Sequence, residues 1–299
     1  MAGELSEQKF GTVTVLYGPE RGRYPDGNCF LVEGPEESVL IDPALGMIDR
    51  KDALPRVDRV LNSHCHEDHY AGNHLYPDVP WHCHEDDIVG FRSLEDMLEI
   101  YGYNAEIEKE WCARLIEKYH YTPREDAVPF ADGAVFELGG SSRVRVIHAP
   151  GHTRGQCFFW IEPEDMLYLA DVDLSSFGPY YGDAWSDLEC FEATLAAVRE
   201  IDVRWYATFH HIGVLEGRQA YLERLDRFTA VIASREERLL AYLAEPHTLD
   251  EIAAHRFVYR PKDPVAFAVA VERRSMAQHV DRLVRDGRVT RIEPGLYRT

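Results

Sequence analysis

Short apolar alternations separated by turn residues open the chain. Residues 12–16, 29–32, 38–41 and 59–62 each show the two-residue period and β-branched content of a strand, and Gly34-Pro35 punctuates the gap between the second and third. The period then lengthens. From about 85 to 120, apolar residues recur three and four apart (Leu94, Met97, Leu98, Tyr101, then Ile107, Trp111, Leu115, Tyr119) on an acidic background, which predicts a helical insertion. Strand patterns resume at 134–138, 143–147, 156–160 and 166–169. A helix opened by a capping box at Ser186 to Glu189 follows, then a strand at 205–208 and a helix over about 218–243. The mixture predicts an α/β fold.

From about 235 the texture changes. A capping box at Thr248 to Glu251, an amphipathic stretch over 273–285 with Met276, Val280, Leu283 and Val284 on one face, and a stop at Gly287 predict helices. The last twelve residues read as a hairpin turning at Glu293-Pro294-Gly295. Two domains are therefore expected: a catalytic part over 1–234, with the insertion inside it, and a winged-helix-like unit over 235–299.

Composition narrows the function. A chain of 299 residues with 45% hydrophobic and 28% charged content is globular and long enough for about two domains. Its formal net charge is −20; within 235–299, 12 Lys and Arg stand against 10 Asp and Glu, so the catalytic part carries −22. That field repels phosphate backbones and anionic membranes, leaving a small molecule as the expected partner; the tail or the insertion could also pair copies of the chain. The N-terminal residues carry acids where a leader would need basic residues, no apolar run approaches a membrane span, and the six cysteines form no C-x-x-C pair. A cytoplasmic protein is expected.

The chemistry concentrates directly after the strand at 59–62, in His64-Cys65-His66-Glu67-Asp68-His69. If the backbone stays extended there, His64, His66 and Asp68 point one way and Cys65 and Glu67 the other, and His69 joins the ligands as the chain turns. Imidazoles and carboxylates are the ligands that zinc, iron and manganese favour. Three further strands end in residues of the same kind: His152 after 143–147, Asp171 after 166–169, and His210-His211 after 205–208. Other candidates have plainer explanations. Cys65 should be buried, His82 and His84 should be solvated or structural, and His148 should be structural.

These motifs resemble the metallo-β-lactamase-fold hydrolases, most closely their glyoxalase II-like branch, over roughly residues 10–235. The resemblance rests on Asn28 to Val32 with Val39 to Asp42, the His64-x-His66-x-Asp68-His69 motif, Pro150-Gly-His152-Thr153, Asp171, and a histidine near 210. It departs from the family pattern at Ala170, where glycine is usual, and at Phe209-His210-His211-Ile212, where Gly-His-Gly is usual. The resemblance implies a four-layer αβ/βα sandwich. It further implies one divalent ion on His64, His66 and His152, and a second on Asp68, His69 and His210, with His211 as the alternative. Asp171 would bridge them, and Asp42 would orient the histidine loop. Zinc is the expected ion, with iron or manganese as alternatives.

Two such ions, with Asp68 and Asp171 at the catalytic centre, would activate a water between them for attack on a small ester, thioester or lactone. Thr153 and Asp173 are expected to support the ligands, and Tyr70, Phe177, Tyr180 and Tyr181 to line the substrate pocket. Three other functions use the same residues differently: a mononuclear iron persulfide dioxygenase, a phosphodiesterase or nuclease, and a metal-sensing DNA-binding regulator.

Overall fold

The computed structural model describes residues 6–261, 263 and 267–299; the first five residues of the acidic N-terminal stretch lie outside this range. Seven strands form the first sheet in chain order: β1 (Glu7–Phe10), β2 (Val13–Leu16), β3 (Cys29–Glu33), β4 (Ser38–Ile41), β5 (Arg59–Leu61), β6 (Trp81–His84) and β7 (Val128–Phe130). The first four pair antiparallel as a meander, whereas β4 to β7 run parallel. Strand β4 is covered on both faces, which is why Val39, Leu40 and Ile41 are apolar without alternation.

The second sheet has the order β13-β12-β11-β10-β9-β8. Its strands are β8 (Val135–Glu137), β9 (Arg143–His148), β10 (Cys157–Glu162), β11 (Met166–Tyr168), β12 (Trp205–Ala207) and β13 (Val214–Glu216). Alternation along these strands feeds two cores. Val144, Val146, Phe159 and Ile161 turn inward to join the first sheet's side chains, while Phe158, Leu167 and Tyr206 meet the helices Leu188–Arg199 and Arg218–Tyr242 on the outer face. On the first sheet's side, the insertion forms the helices Ile88–Arg92, Leu94–Tyr101 and Ala105–Glu117. Its Met97, Ile100, Tyr101, Trp111 and Leu115 are buried in the inter-sheet cluster. The result is a four-layer sandwich.

Several elements differ from the sequence reading. Strands β1, β7 and β13 carry no alternation strong enough to register. Pro129 is tolerated in β7 because that strand closes the edge of its sheet. The helix Leu188–Arg199 is capped by Asp187, whose carboxylate accepts the Cys190 N–H, and not by Ser186. The Ser186 hydroxyl is already committed to the His152 carbonyl, 2.8 Å away.

At the C-terminal end, the helix Arg218–Tyr242 runs unbroken through position 235. Beyond it lie Leu249–His255, Ala268–Arg285, and a three-stranded sheet of β14 (His247–Thr248), β16 (Leu296–Arg298) and β15 (Thr290–Glu293). The Thr248–Glu251 capping box forms with both of its hydrogen bonds. Leu239, Leu243, Ile252, Phe257, Met276, Val280, Leu283, Val289 and Tyr297 make a third core there. Among the described residues, no helix is long and apolar enough to cross a membrane.

One glycine is fixed by its surroundings. Gly151 has φ 126°, and a Cβ there would lie 2.3 Å from the backbone of Phe191. A Gly151→Ala variant is expected to lose about 2–4 kcal/mol of stability, measured by urea unfolding, because both the left-handed strain and the clash with backbone must be relieved.

Candidate metal centre

Four strand ends on one rim deliver the ligand residues. The segment 64–69 follows β5, His152 follows β9, Asp171 follows β11 and His210 follows β12. The extended alternation lasts only as far as His66, which has φ −65° and ψ 148° and caps the short helix Glu67–Tyr70. Helical turning therefore carries Asp68 away from His64 and His66 and places it with His69. This corrects the expectation that His64, His66 and Asp68 share a side.

Two clusters result. His64, His66, His152 and Asp171 bring one ligand atom each to within 4.8 Å of one another, as do Asp68, His69 and His210. In the first, His64 Nε2 lies 3.1 Å from His66 Nδ1, and His152 Nε2 lies 3.2 Å from Asp171 Oδ2. In the second, His210 Nε2 lies 3.1 Å from Asp68 Oδ2. Asp171 Oδ1 turns to that second cluster, 2.8 Å from His69 Nε2 and 3.9 Å from His210 Nε2. Each Asp171 oxygen thus faces a different cluster. His211, by contrast, has 37% of its side chain exposed and comes no nearer than 3.9 Å to Asp173; it does not join.

Four of the five histidines are hydrogen-bonded through the second ring nitrogen, and the fifth, His66, faces a carboxylate there without the angles of a hydrogen bond. Ser63 Oγ sits 3.0 Å from His64 Nδ1, Asp42 Oδ2 2.8 Å from His69 Nδ1, the Tyr180 carbonyl 2.9 Å from His152 Nδ1, and the Gly22 carbonyl 2.8 Å from His210 Nδ1. His66 Nε2 lies 3.0 Å from Asp183 Oδ2. Outer partners of this kind fix the ring orientation and raise the basicity of a ligating histidine. Asp42 also accepts hydrogen bonds from the Ser63 N–H, the Ser63 hydroxyl and the Tyr168 hydroxyl. It sits in the left-handed region (φ 46°), as does Ala170 (φ 47°), which accounts for the usual preference for glycine before the bridging carboxylate.

The donor set fits metal ions. The Nε2 atoms of His69 and His152, Oδ2 of Asp68 and Oδ1 of Asp171 are buried and have no hydrogen-bond partner. Each stands 2.8–3.2 Å from an opposing ring nitrogen or carboxylate oxygen of the clusters without the angles of a hydrogen bond, as atoms converging on a common centre do. Electrostatics agree. Burial works against a charged His66 and a charged His210, yet Asp183 raises the first to about 9, and Asp171 with Asp68 raises the second to about 9. Burial also opposes an ionised Asp171, but His69, His152 and His210 hold it well below the usual carboxylate range. The carboxylates thus favour positive charge where a cation would sit. A third group, His84, Asp86 and His148, is different in kind. There the His148 Nε2 is 2.8 Å from the Arg154 carbonyl and the His84 Nδ1 accepts the Asp86 N–H, so the ring nitrogens are spent within the protein.

Other expected residues take other places. The Thr153 hydroxyl donates to Asp87 Oδ2 at 2.6 Å and not to a ligand. Asp173 accepts the Ser175 N–H and hydroxyl, so its oxygens shape their own turn and do not support the ligands. Of the aromatic residues expected at the pocket, Tyr180 lies nearest, its ring 5.6 Å from that of His152. Tyr70 packs between Phe91 and Tyr121, Tyr181 is buried with its hydroxyl on His279, and Phe177 packs on Tyr259. Tyr70 and Tyr181 are buried in packing, while Phe177 is 37% exposed. Cys65 is fully buried, and burial pushes its thiol up.

Sequence reasoning missed four polar side chains. Asp183 and Ser63 orient ligand histidines, Asp87 ties loops together, and Glu67 accepts hydrogen bonds from Tyr24 and Tyr101 beside Asp68. Only Ser63 and Glu67, which adjoin the motif, carried a signal in the sequence.

The four-layer sandwich thus carries two imidazole–carboxylate clusters at one rim, a donor set of the kind that holds metal ions. The chain belongs to the metallo-beta-lactamase superfamily, whose family profile matches residues 23–230. It is similar to a hydroxyacylglutathione hydrolase of Methylococcus capsulatus, 27% identical over 80% of this chain and 84% of that protein. It is also similar to an atrochrysone carboxyl ACP thioesterase of Cryptosporiopsis sp., 25% identical over 65% of this chain and 52% of that protein. The chain thus spans about half the length of that fungal relative. A metallo-beta-lactamase family protein from Thermus thermophilus shares the fold over 96% of this chain and 98% of its own, with a TM-score of 0.70 and 23% identity.

Proposed function

We propose that this chain is a dinuclear metal-dependent thioesterase, cleaving an acyl group from a small thiol or a carrier thiol. The observation that carries this reading is Asp171, whose two carboxylate oxygens face two separate ligand clusters. A pair of divalent ions, zinc first among the candidates, would supply Lewis acidity and lower the pKa of a water. The protein's own residues do the rest. Asp42, Asp183 and the carbonyls of Tyr180 and Gly22 hold four of the five imidazoles in place and Ser63 the fifth, while Asp68 and Asp171 keep the negative charge between them.

Leaving-group chemistry favours a thioester over an ester. Beside the clusters, the hydroxyls of Ser63, Tyr168, Tyr101 and Tyr180 are spent on Asp42, Glu67 and Asp183, and a thiol, with a pKa of ~8.5, departs as the thiolate without needing a proton from any of them. The names of the two relatives point to the same class of substrate. A second complete cluster is more than a mononuclear iron dioxygenase requires, and the charge of the catalytic part disfavours polyanions. We read 235–299 as a winged-helix-like unit with a packing role, and the six free cysteines as those of a cytoplasmic protein.

The test is a substrate panel with fully metallated protein. Turnover of S-acyl glutathione or S-acyl coenzyme A is expected, lost on chelation and restored by zinc or manganese. Hydrolysis of oxygen esters with no thioester turnover would overturn the reading.

A further inference from the structure

The two clusters are braced from different parts of the chain. The outer partners of the second, Asp42 for His69 and Gly22 for His210, come from the N-terminal region. In the first cluster, two of the three histidines lean on a single loop: His152 on the Tyr180 carbonyl and His66 on Asp183. Tyr180 also donates its hydroxyl to Asp183 Oδ1 at 3.0 Å, so both supports move together.

That loop is gripped by the C-terminal part of the chain. From the helix Ala268–Arg285, the Gln278 side chain donates to the Tyr181 carbonyl at 3.0 Å and accepts the Leu188 N–H at 2.6 Å, spanning the loop across Asp183. His279 Nε2 lies 2.9 Å from the Tyr181 hydroxyl, and Arg235, fully buried, donates to the carbonyls of Pro179 and Phe177. A further contact runs through the insertion. Arg274 donates to the Tyr101 carbonyl at 2.6 Å, and the Tyr101 ring stacks on His66 with centroids 5.5 Å apart.

We infer that the C-terminal unit is a clasp for the first metal cluster, with Asp183 and Gln278 as positioning residues that act on His66 and His152 through the loop 177–188. This rests on the dinuclear reading of the site and gives the C-terminal unit a task within it. The coupling is uneven: two histidines of the first cluster lean on the clasped loop, whereas the second cluster is braced by Asp42 and the Gly22 carbonyl and meets the clasp through the Tyr101 contacts with Glu67, next to Asp68.

The experiment is a metal titration of the full chain, stripped by a chelator and refilled with Zn²⁺ against a chromophoric competitor, with no substrate present. Wild type should show two sites. Asp183→Asn should weaken one of them by about 10–100-fold, the range for loss of an outer partner of a ligating histidine, and leave the other within about threefold. Gln278→Ala should weaken that same site by a smaller factor. Gln278→Glu, which keeps the acceptor for Leu188 but sets a carboxylate oxygen against the Tyr181 carbonyl, should weaken that site at least as much as Gln278→Ala. Repeating the titrations in a His210→Ala background, which removes a ligand of the second cluster, identifies the affected site as the first.

Val269→Ala, exposed on the same helix, is the control and should change nothing. The clasp is overturned if Gln278→Ala retains both wild-type affinities, or if both sites weaken equally alongside a lower Tm, as a merely structural role predicts. Wild-type uptake of two ions without thioester turnover would sink the proposed reaction and leave the clasp standing.

Discussion

Asp171→Ala is expected to cut kcat/KM by at least about 10³-fold and to reduce bound metal from two ions to fewer than one per chain. The reason is geometric. Every other proposed ligand belongs to one cluster, whereas Asp171 presents Oδ2 to His152 and Oδ1 to His69 and His210, so on the dinuclear reading its removal would take a donor from both sites. Asp171→Asn should fare little better, since it keeps the shape but loses the charge that offsets a pair of dications. Asp173→Ala is the matched control. Its carboxylate is equally close in sequence but is spent on the Ser175 turn, so metal content should stay at two. Elemental analysis and thioester kinetics on the three variants decide the matter. An Asp171→Ala protein that keeps two ions and turns over within tenfold of wild type would remove the bridge from the account.

Added metal should also raise the Tm of wild type far more than that of Asp171→Ala, because an ion that binds only the folded state stabilises it by an amount that grows with the logarithm of its affinity.

What could be read from the sequence follows from how local each signal is. The 64–69 motif puts four candidate ligands in six positions, and His152, Asp171 and His210 each follow a short apolar or alternating run that reads as a strand. What stayed hidden depends on contacts between distant segments. Asp183 looks like a loop acid until the fold sets it 3.0 Å from His66, more than a hundred residues earlier in the chain. Ser186 to Glu189 has the form of a capping box, yet the hydroxyl goes to the His152 carbonyl and Asp187 caps instead. Tyr70 adjoins the motif but turns into the aromatic packing beneath the insertion, where Phe91 and Tyr121 meet it. His210 and His211 were indistinguishable by residue type. The structure separates them through backbone conformation: His211 takes φ 61° and turns outward, whereas His210 keeps its Nδ1 on the Gly22 carbonyl and its Nε2 at Asp68.

The largest stability effect is expected from Asp87, which touches none of the proposed ligands. Its carboxylate is fully buried and ties two ligand-bearing loops together: Oδ2 accepts the Thr153 hydroxyl at 2.6 Å and the Cys65 N–H at 3.3 Å, and Oδ1 accepts the Gly155 N–H at 2.7 Å. Gly155 lies so close that a Cβ there would sit 2.7 Å from the Asp87 Cβ. Truncation to alanine strands three buried donors and opens a void, which should cost about 3–5 kcal/mol. Asp87→Asn retains one good acceptor and should recover about half of that. Because Cys65 lies between His64 and His66, and Thr153 follows His152, the loosened loops belong to the first cluster; that site's metal affinity should fall while Asp68, His69 and His210 keep theirs. Urea unfolding of the metal-free chain separates the two effects, since the lost hydrogen bonds are counted there without any ion. If Asp87→Ala unfolds within about 1 kcal/mol of wild type under those conditions, the two loops are held by their own backbones and the carboxylate is a bystander.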